Sequence, residues 1–188
     1  MHNIIMGFPA VGKTTTTKRT ASITNRFIDL NITKFIGSNY FANLANMGCY
    51  QNSSCNLDWF AYCNLAIDLA ENHDVFISVT PEILDYMEIQ DKIIRDSIIV
   101  IYPSLSLKDQ WIKKMKDRYE KSNLLEDRRA YEYYICDNYD ETIKKINANE
   151  SFSKIQLNSM KYPSLFNIIT NMQDIKRNLN ISRVQITI

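Results

Sequence analysis

The sequence predicts an α/β fold: a five-stranded parallel sheet with helices on both faces and a short helical lid. Three observations predict it. Short apolar runs alternate with longer stretches of helical pattern along most of the chain. Several short runs, Val75-Phe76-Ile77 and Ile98-Ile99-Val100-Ile101 among them, are continuously apolar, as strands covered on both faces require. A glycine-containing loop separates the first apolar run from the first helix, at the kind of strand end where open α/β sheets hold ligands.

Taken in order, the predicted strands cover residues 3–6, 26–30, 74–79, 97–102 and 154–157. Helical patterns fill the gaps over 13–21, 58–71, 81–92 and 105–121, with one or two further helices over 124–146 and a last one over 163–174. Pro81 stands in the first turn of its helix, where its missing N–H costs nothing. Residues 36–56 are irregular, with Gly37, Gly48 and many Asn and Ser, and such a stretch inside an α/β domain usually covers a site. Residues 175–188 alternate weakly through Val184, Ile186 and Ile188, which suits an edge strand or a segment ordered by a partner.

The 188 residues, 45% hydrophobic and 23% charged, suit one domain, laid out as 1–174 with a tail over 175–188. They are too apolar for a disordered chain. A net charge of +1 gives no global field toward nucleic acid or an anionic membrane. No apolar run approaches the roughly 18 residues of a membrane span, and the first six residues reach a glycine loop too soon to hold a signal-peptide core. Cys49, Cys55, Cys63 and Cys136 lack CxxC spacing and have only His2 and His73 for company, so neither zinc nor a disulfide framework is expected. Reduced cysteines of a cytoplasmic protein are.

Gly7-Phe8-Pro9-Ala10-Val11-Gly12-Lys13-Thr14 fits GxxxxGK[ST] in full, between a strand and a helix as that motif requires. Such a loop curls so that backbone N–H groups, from Gly7 and Ala10 through Val11, Gly12, Lys13, Thr14 and Thr15, converge on phosphate oxygens. The positive end of the following helix faces the same anion. Lys13 adds a point charge at the β- and γ-phosphates, and Thr14 offers a hydroxyl to Mg²⁺. The expected ligands are therefore a nucleoside triphosphate, ATP or GTP, and magnesium. The guanine-selective NKxD and the DxxG switch are both missing, which disfavours a GTPase.

Asp29 closes the second strand, where a carboxylate can hold Mg²⁺, directly or through water, or align an attacking hydroxyl; Asn31 follows two residues on. The third strand ends in Ser78 and Thr80 where hydrolytic motors carry an acid. After Tyr102-Pro103 comes a basic helical stretch in which Arg118 precedes, and Arg128 and Arg129 follow, a short loop, an arrangement suited to a lid over 118–130 that brings cations to the developing charge. Tyr131, Tyr133, Tyr134 and Tyr139 read as helix packing more than base stacking.

Through residues 7–14, Phe27-Ile28-Asp29-Leu30, Ile77-Ser78, Ile101-Tyr102-Pro103 and Asp137-Asn138-Tyr139-Asp140, the chain resembles the small P-loop kinases, such as adenylate, thymidylate and shikimate kinases. Within that superfamily it is similar to nucleotide-kinase-like proteins of bacteriophages. The resemblance spans about residues 1–147, is specific at residues 7–14, and elsewhere rests on order and spacing. It implies an acceptor-side region after the second strand, about 36–60, and a lid after the fourth. The second Asp of the D-x-D found in related kinases is Asn31 here, and residues 56–71 lack the arginine signature of an adenylate kinase acceptor site.

The resulting expectation is an ATP- and Mg²⁺-dependent kinase that phosphorylates a small acceptor, a nucleotide or nucleoside, in the cytoplasm (the host's, for a phage-encoded chain). Its partners are the nucleotide donor and that acceptor, with no membrane. Two alternatives stay open: a kinase acting on nucleic-acid ends or a modified base in DNA, and an ATP-dependent switch without acceptor turnover. The oligomeric state is not legible.

Overall fold

Ile4, Ile5 and Met6 lose all contact with solvent, and each such side chain contributes roughly 1.5–3 kcal/mol of apolar burial. That demand places the first strand, β1 (Ile4–Gly7), at the centre of the sheet. The structure, a computed structural model, describes residues 2–21, 26–30, 59–134 and 138–188, with the backbone only at 59, 125, 126 and 129. Of the segment expected to wall the acceptor side, 36–60, all but the last two residues lie outside the described residues.

Helix α1 (Lys13–Thr20) leads to β2 (Phe27–Asp29), and α2 (Trp59–Leu69) to β3 (Asp74–Ser78). Then come α3 (Pro81–Glu88), α4 (Lys92–Ser97) and β4 (Ile98–Pro103). A single 3₁₀ turn at Leu105–Leu107 opens α5 (Lys108–Ser122), which is followed by α6 (Leu125–Tyr133) and α7 (Tyr139–Ala148). The described chain closes with β5 (Ser153–Leu157), α8 (Leu165–Leu179) and β6 (Gln185–Thr187).

The strands are all parallel in the order β2-β3-β1-β4-β5-β6, flanked by helices. The sheet therefore has six strands, not the expected five. The sixth comes from the weakly alternating tail, where Ile186 faces Ile155. As a three-residue edge strand, largely exposed, it carries too little hydrophobic signal to be certain from sequence. Helix α8 likewise runs past residue 174 to Leu179. The helix expected over 81–92 is two: α3 ends near Glu88, and the Asp91 carboxylate accepts the Ile94 N–H at 3.0 Å to cap a new start.

At the N-terminal edge of the sheet, Asp74 opens β3 with no solvent exposure. Its carboxylate accepts from Asn3 N at 2.8 Å, Asn3 Nδ2 at 2.9 Å and Arg26 Nε at 2.5 Å. Arg26 also donates to Gln173 on α8, so one buried acid ties β1, β2, β3 and α8 together.

Candidate active site

The opposite edge is built around the loop after β1. Phe8 N donates to Ile101 O at 3.0 Å, which extends the pairing with β4 one residue beyond Gly7 before the chain turns. A Cβ on Gly7 would stand 2.9 Å from Lys13 Cδ, so glycine is what lets the lysine stem lie over the strand end. Gly12 sits at φ 106°, the left-handed region that favours glycine, and from there α1 begins at Lys13. Ala10 also has positive φ, 62°.

The loop is held from outside. Trp111 Nε1 donates to Pro9 O at 2.9 Å, and the Tyr162 hydroxyl to Val11 O at 3.1 Å, so the carbonyls on either side of Ala10 are pinned. Lys114 Nζ donates to the Tyr162 hydroxyl at 3.1 Å and lies 4.4 Å from the Trp111 ring centroid. Below the loop, Phe8 is buried between Tyr134 (centroids 4.4 Å apart) and Tyr139 (5.2 Å), whose hydroxyls donate to Val79 O and Ser104 O. Lys114 belongs to the basic stretch that the sequence singles out, but Trp111 and Tyr162 were not foreseen: they come from α5 and from the segment after β5, and no spacing in the sequence links them to residue 9 or 11.

Lys13 Nζ donates to Gly7 O at 2.6 Å. Burial around its ammonium lowers its pKa to about 8; the Asp29 carboxylate raises it, and the Arg118 guanidinium lowers it further. The cation is thus partly desolvated before any ligand arrives. The Thr14 hydroxyl donates to Asp29 Oδ2 at 2.5 Å, bringing together two residues 15 apart in sequence. Thr14 and Thr15 are exposed on the first turn of α1, and Asp29 is half-buried. A hydroxyl and a carboxylate oxygen side by side are the hard donors that Mg²⁺ accepts, so these residues fit that ion.

Arg118 on α5 pairs with the buried Asp127 of α6 at 2.7 Å, and Ser122 Oγ donates to the same carboxylate at 2.6 Å. Asn123, at φ 51°, makes the sharp turn between the two helices. Arg128 Nε contacts Glu132 at 2.6 Å on its own helix, whereas the Arg129 side chain lies outside the described residues. Beside Arg118 an open groove of about 810 Å³ is lined by Lys114, Lys121, Asp127 and Met160 among others. Thr80 caps α3, accepting from Ile83 N at 3.4 Å, and Ser78 offers its backbone N–H to Tyr62. Among the described residues, no cluster of three His, Cys, Asp or Glu stands ready for a metal, and no helix is long and apolar enough to cross a membrane.

No family model and no curated protein matches this chain. Among solved structures it is similar to a gluconokinase from Sinorhizobium meliloti 1021, with a TM-score of 0.52 over 95% of each chain at 11% identity. At that identity the likeness concerns backbone architecture, and it settles the fold class: a parallel α/β sheet flanked by helices, shared with that gluconokinase.

Proposed function

We propose that this chain is an ATP- and Mg²⁺-dependent phosphotransferase that moves the γ-phosphoryl group to a small acceptor, with a nucleotide or nucleoside as the first candidate. One observation carries the reading: Thr14, in the first turn of the helix that follows β1, and Asp29, at the C-terminal end of β2, share a hydrogen bond beside Lys13. The gluconokinase likeness adds a kinase precedent for the backbone.

In this reading the loop amides and Lys13 bind the triphosphate, and Lys13 exchanges its Gly7 carbonyl for phosphate oxygens. Thr14 and Asp29 would hold Mg²⁺, which when bound neutralises charge between the β- and γ-phosphates. Asp29 also lies where it can orient an acceptor hydroxyl and take its proton. Arg118, presented by the α5–α6 hairpin, adds positive charge on the donor side and helps exclude water. Arg128 and Arg129, which the sequence nominates as cations that close on the phosphates, follow in the second helix of the same hairpin.

The test is transfer from labelled ATP to a panel of nucleosides, nucleoside mono- and diphosphates, gluconate and 5′-hydroxyl DNA ends. Transfer to one small acceptor, lost in Lys13→Ala, is expected. Tight Mg-ATP binding with no transfer to any of them would replace the kinase by a switch, and transfer to DNA ends alone would move the acceptor class.

A further inference from the structure

The ladder between β2 and β3 is regular until it reaches the site. Asp74 N donates to Arg26 O, and the pairing runs Phe27↔Asp74, Ile28↔Val75, Asp29↔Phe76. Leu30 N then donates to Phe76 O at 2.9 Å. In a parallel ladder the next rung is fixed by that register: Ser78 N should donate to Leu30 O. Instead Ser78 N donates to the Tyr62 hydroxyl at 2.9 Å, and that hydroxyl donates to Leu30 O at 3.0 Å. Tyr62 comes from α2 and has no solvent exposure. Its oxygen occupies a rung of the sheet.

We infer that Tyr62 is a positioning residue: its hydroxyl wedges the ends of β2 and β3 apart and thereby sets the Asp29 carboxylate against Thr14. Leu30 is the residue after Asp29, and Ser78 lies beside Gly7 at the start of the phosphate loop. The two chain ends separated by the wedge are therefore those that carry the acid and border the loop. A direct Ser78–Leu30 rung would draw Asp29 toward β3 and away from α1. The wedge satisfies both backbone groups while keeping the crevice one hydroxyl wider, as an ordered water would, but anchored to α2. Tyr62 touches no reacting atom in this scheme; it acts through Asp29.

This inference rests on the magnesium–nucleotide reading, and its test is one of binding, which needs no acceptor. The affinity of the protein for ATP is titrated with and without Mn²⁺, for wild type, Tyr62→Phe, Asp29→Asn and the double variant. In Tyr62→Phe the gain in ATP affinity on adding metal should shrink by about tenfold, the usual scale for an outer-shell partner, while metal-free ATP affinity changes less than about twofold. In the Asp29→Asn background, Tyr62→Phe should add less than about twofold, because the wedge has no carboxylate left to place. Equal effects in both backgrounds, an unchanged metal gain in Tyr62→Phe, or a Tyr62→Phe chain that does not fold would each overturn the assignment and leave Tyr62 a structural staple. A wild-type protein whose ATP affinity ignores metal would overturn the magnesium reading first.

Discussion

Two aspartates stand at opposite ends of the same pair of strands, and they are treated differently. Asp74 opens β3 with no exposure, and its two oxygens take three donors, from Asn3 and Arg26. Asp29 closes β2 half-buried, accepting the Thr14 hydroxyl on one oxygen and facing the charge of Lys13. A fully buried carboxylate with three of its roughly four acceptor sites taken has little left to offer a ligand. One that keeps acceptor capacity and an exposed approach can bind metal or take a proton. The difference separates an acid that holds the sheet together from one that the sheet holds in place.

The sharpest way to break that contrast is to make the same change at both ends. Asp29→Asn should lower phosphoryl transfer by roughly two to four powers of ten, with little change in melting temperature, because Asn keeps the size and one acceptor but loses the charge. Asp74→Asn should cost about 2–4 kcal/mol of stability, since the half-buried Arg26 loses its counter-charge and an amide replaces a fully buried acceptor of three hydrogen bonds. Its ATP affinity, measured where the protein is still folded, should stay near wild type. Transfer rates and denaturant unfolding of both variants decide the matter. A stability loss at Asp29 that matches the one at Asp74 would erase the distinction.

The same comparison explains what was legible in sequence. Residues 7–14 announce themselves because the loop's chemistry is local: Gly12 needs its left-handed φ, Gly7 must make room for the Lys13 stem, and Lys13 and Thr14 follow at once. Asp29 was legible because a strand end is a position that apolar patterning reveals. Asp74 was not singled out, since its partners Asn3 and Arg26 are 71 and 48 residues away. Trp111, Tyr162 and Tyr62 were missed for a related reason. Each looks like ordinary helix or loop packing, and only register and fold bring its polar atom to Pro9, Val11 or Leu30. The strand β6 was ambiguous because three residues, of which Ile186 alone is partly buried, carry almost no burial pattern.

A second prediction tests the charge state of the site end. Lys13 has a pKa lowered to about 8 by burial, so it is largely protonated below that pH and largely neutral above it. Triphosphate favours the ammonium, so binding raises the lysine pKa and takes up a proton when it starts above about pH 8. ATP affinity should therefore be flat in this group's contribution below pH 8 and fall by up to about tenfold per unit above it. Without ligand the sign for folding is opposite. The unfolded lysine, at the ordinary 10.5, binds more protons than the folded one, so this group's contribution to stability rises between about pH 8 and 10.5. Calorimetry in buffers of different ionisation enthalpy reads the proton uptake directly. Lys13→Arg, charged throughout, should abolish the slope above pH 8.

The smallest effect should come from the pins on the outside of the loop, which neither saturate a charge nor meet a ligand. The Tyr162 hydroxyl donates to Val11 O, and Val11 is 2% exposed, so water cannot easily replace the lost donor. Tyr162→Phe removes that bond and deprives Lys114 of one acceptor, while the ring can stay stacked on Trp111 at 6.3 Å and under the Lys114 ammonium. One hydrogen bond of this kind is worth about 1 kcal/mol, which is roughly 2–4 °C of melting temperature for a chain of this length. If the bond serves the folded state alone, stability should fall by that amount and ATP affinity should not move. If pinning the carbonyls around Ala10 also aims the loop amides at phosphate, ATP affinity should fall by about fivefold, the same 1 kcal/mol appearing in binding. Trp111 still holds Pro9 O in this variant, so a loss well beyond fivefold would mean that the loop has two arrangements and that Tyr162 selects between them. An affinity change in that range, with the Lys13 pH dependence intact, would place the pins with Asp29 as parts of the site rather than with Asp74 as parts of the frame.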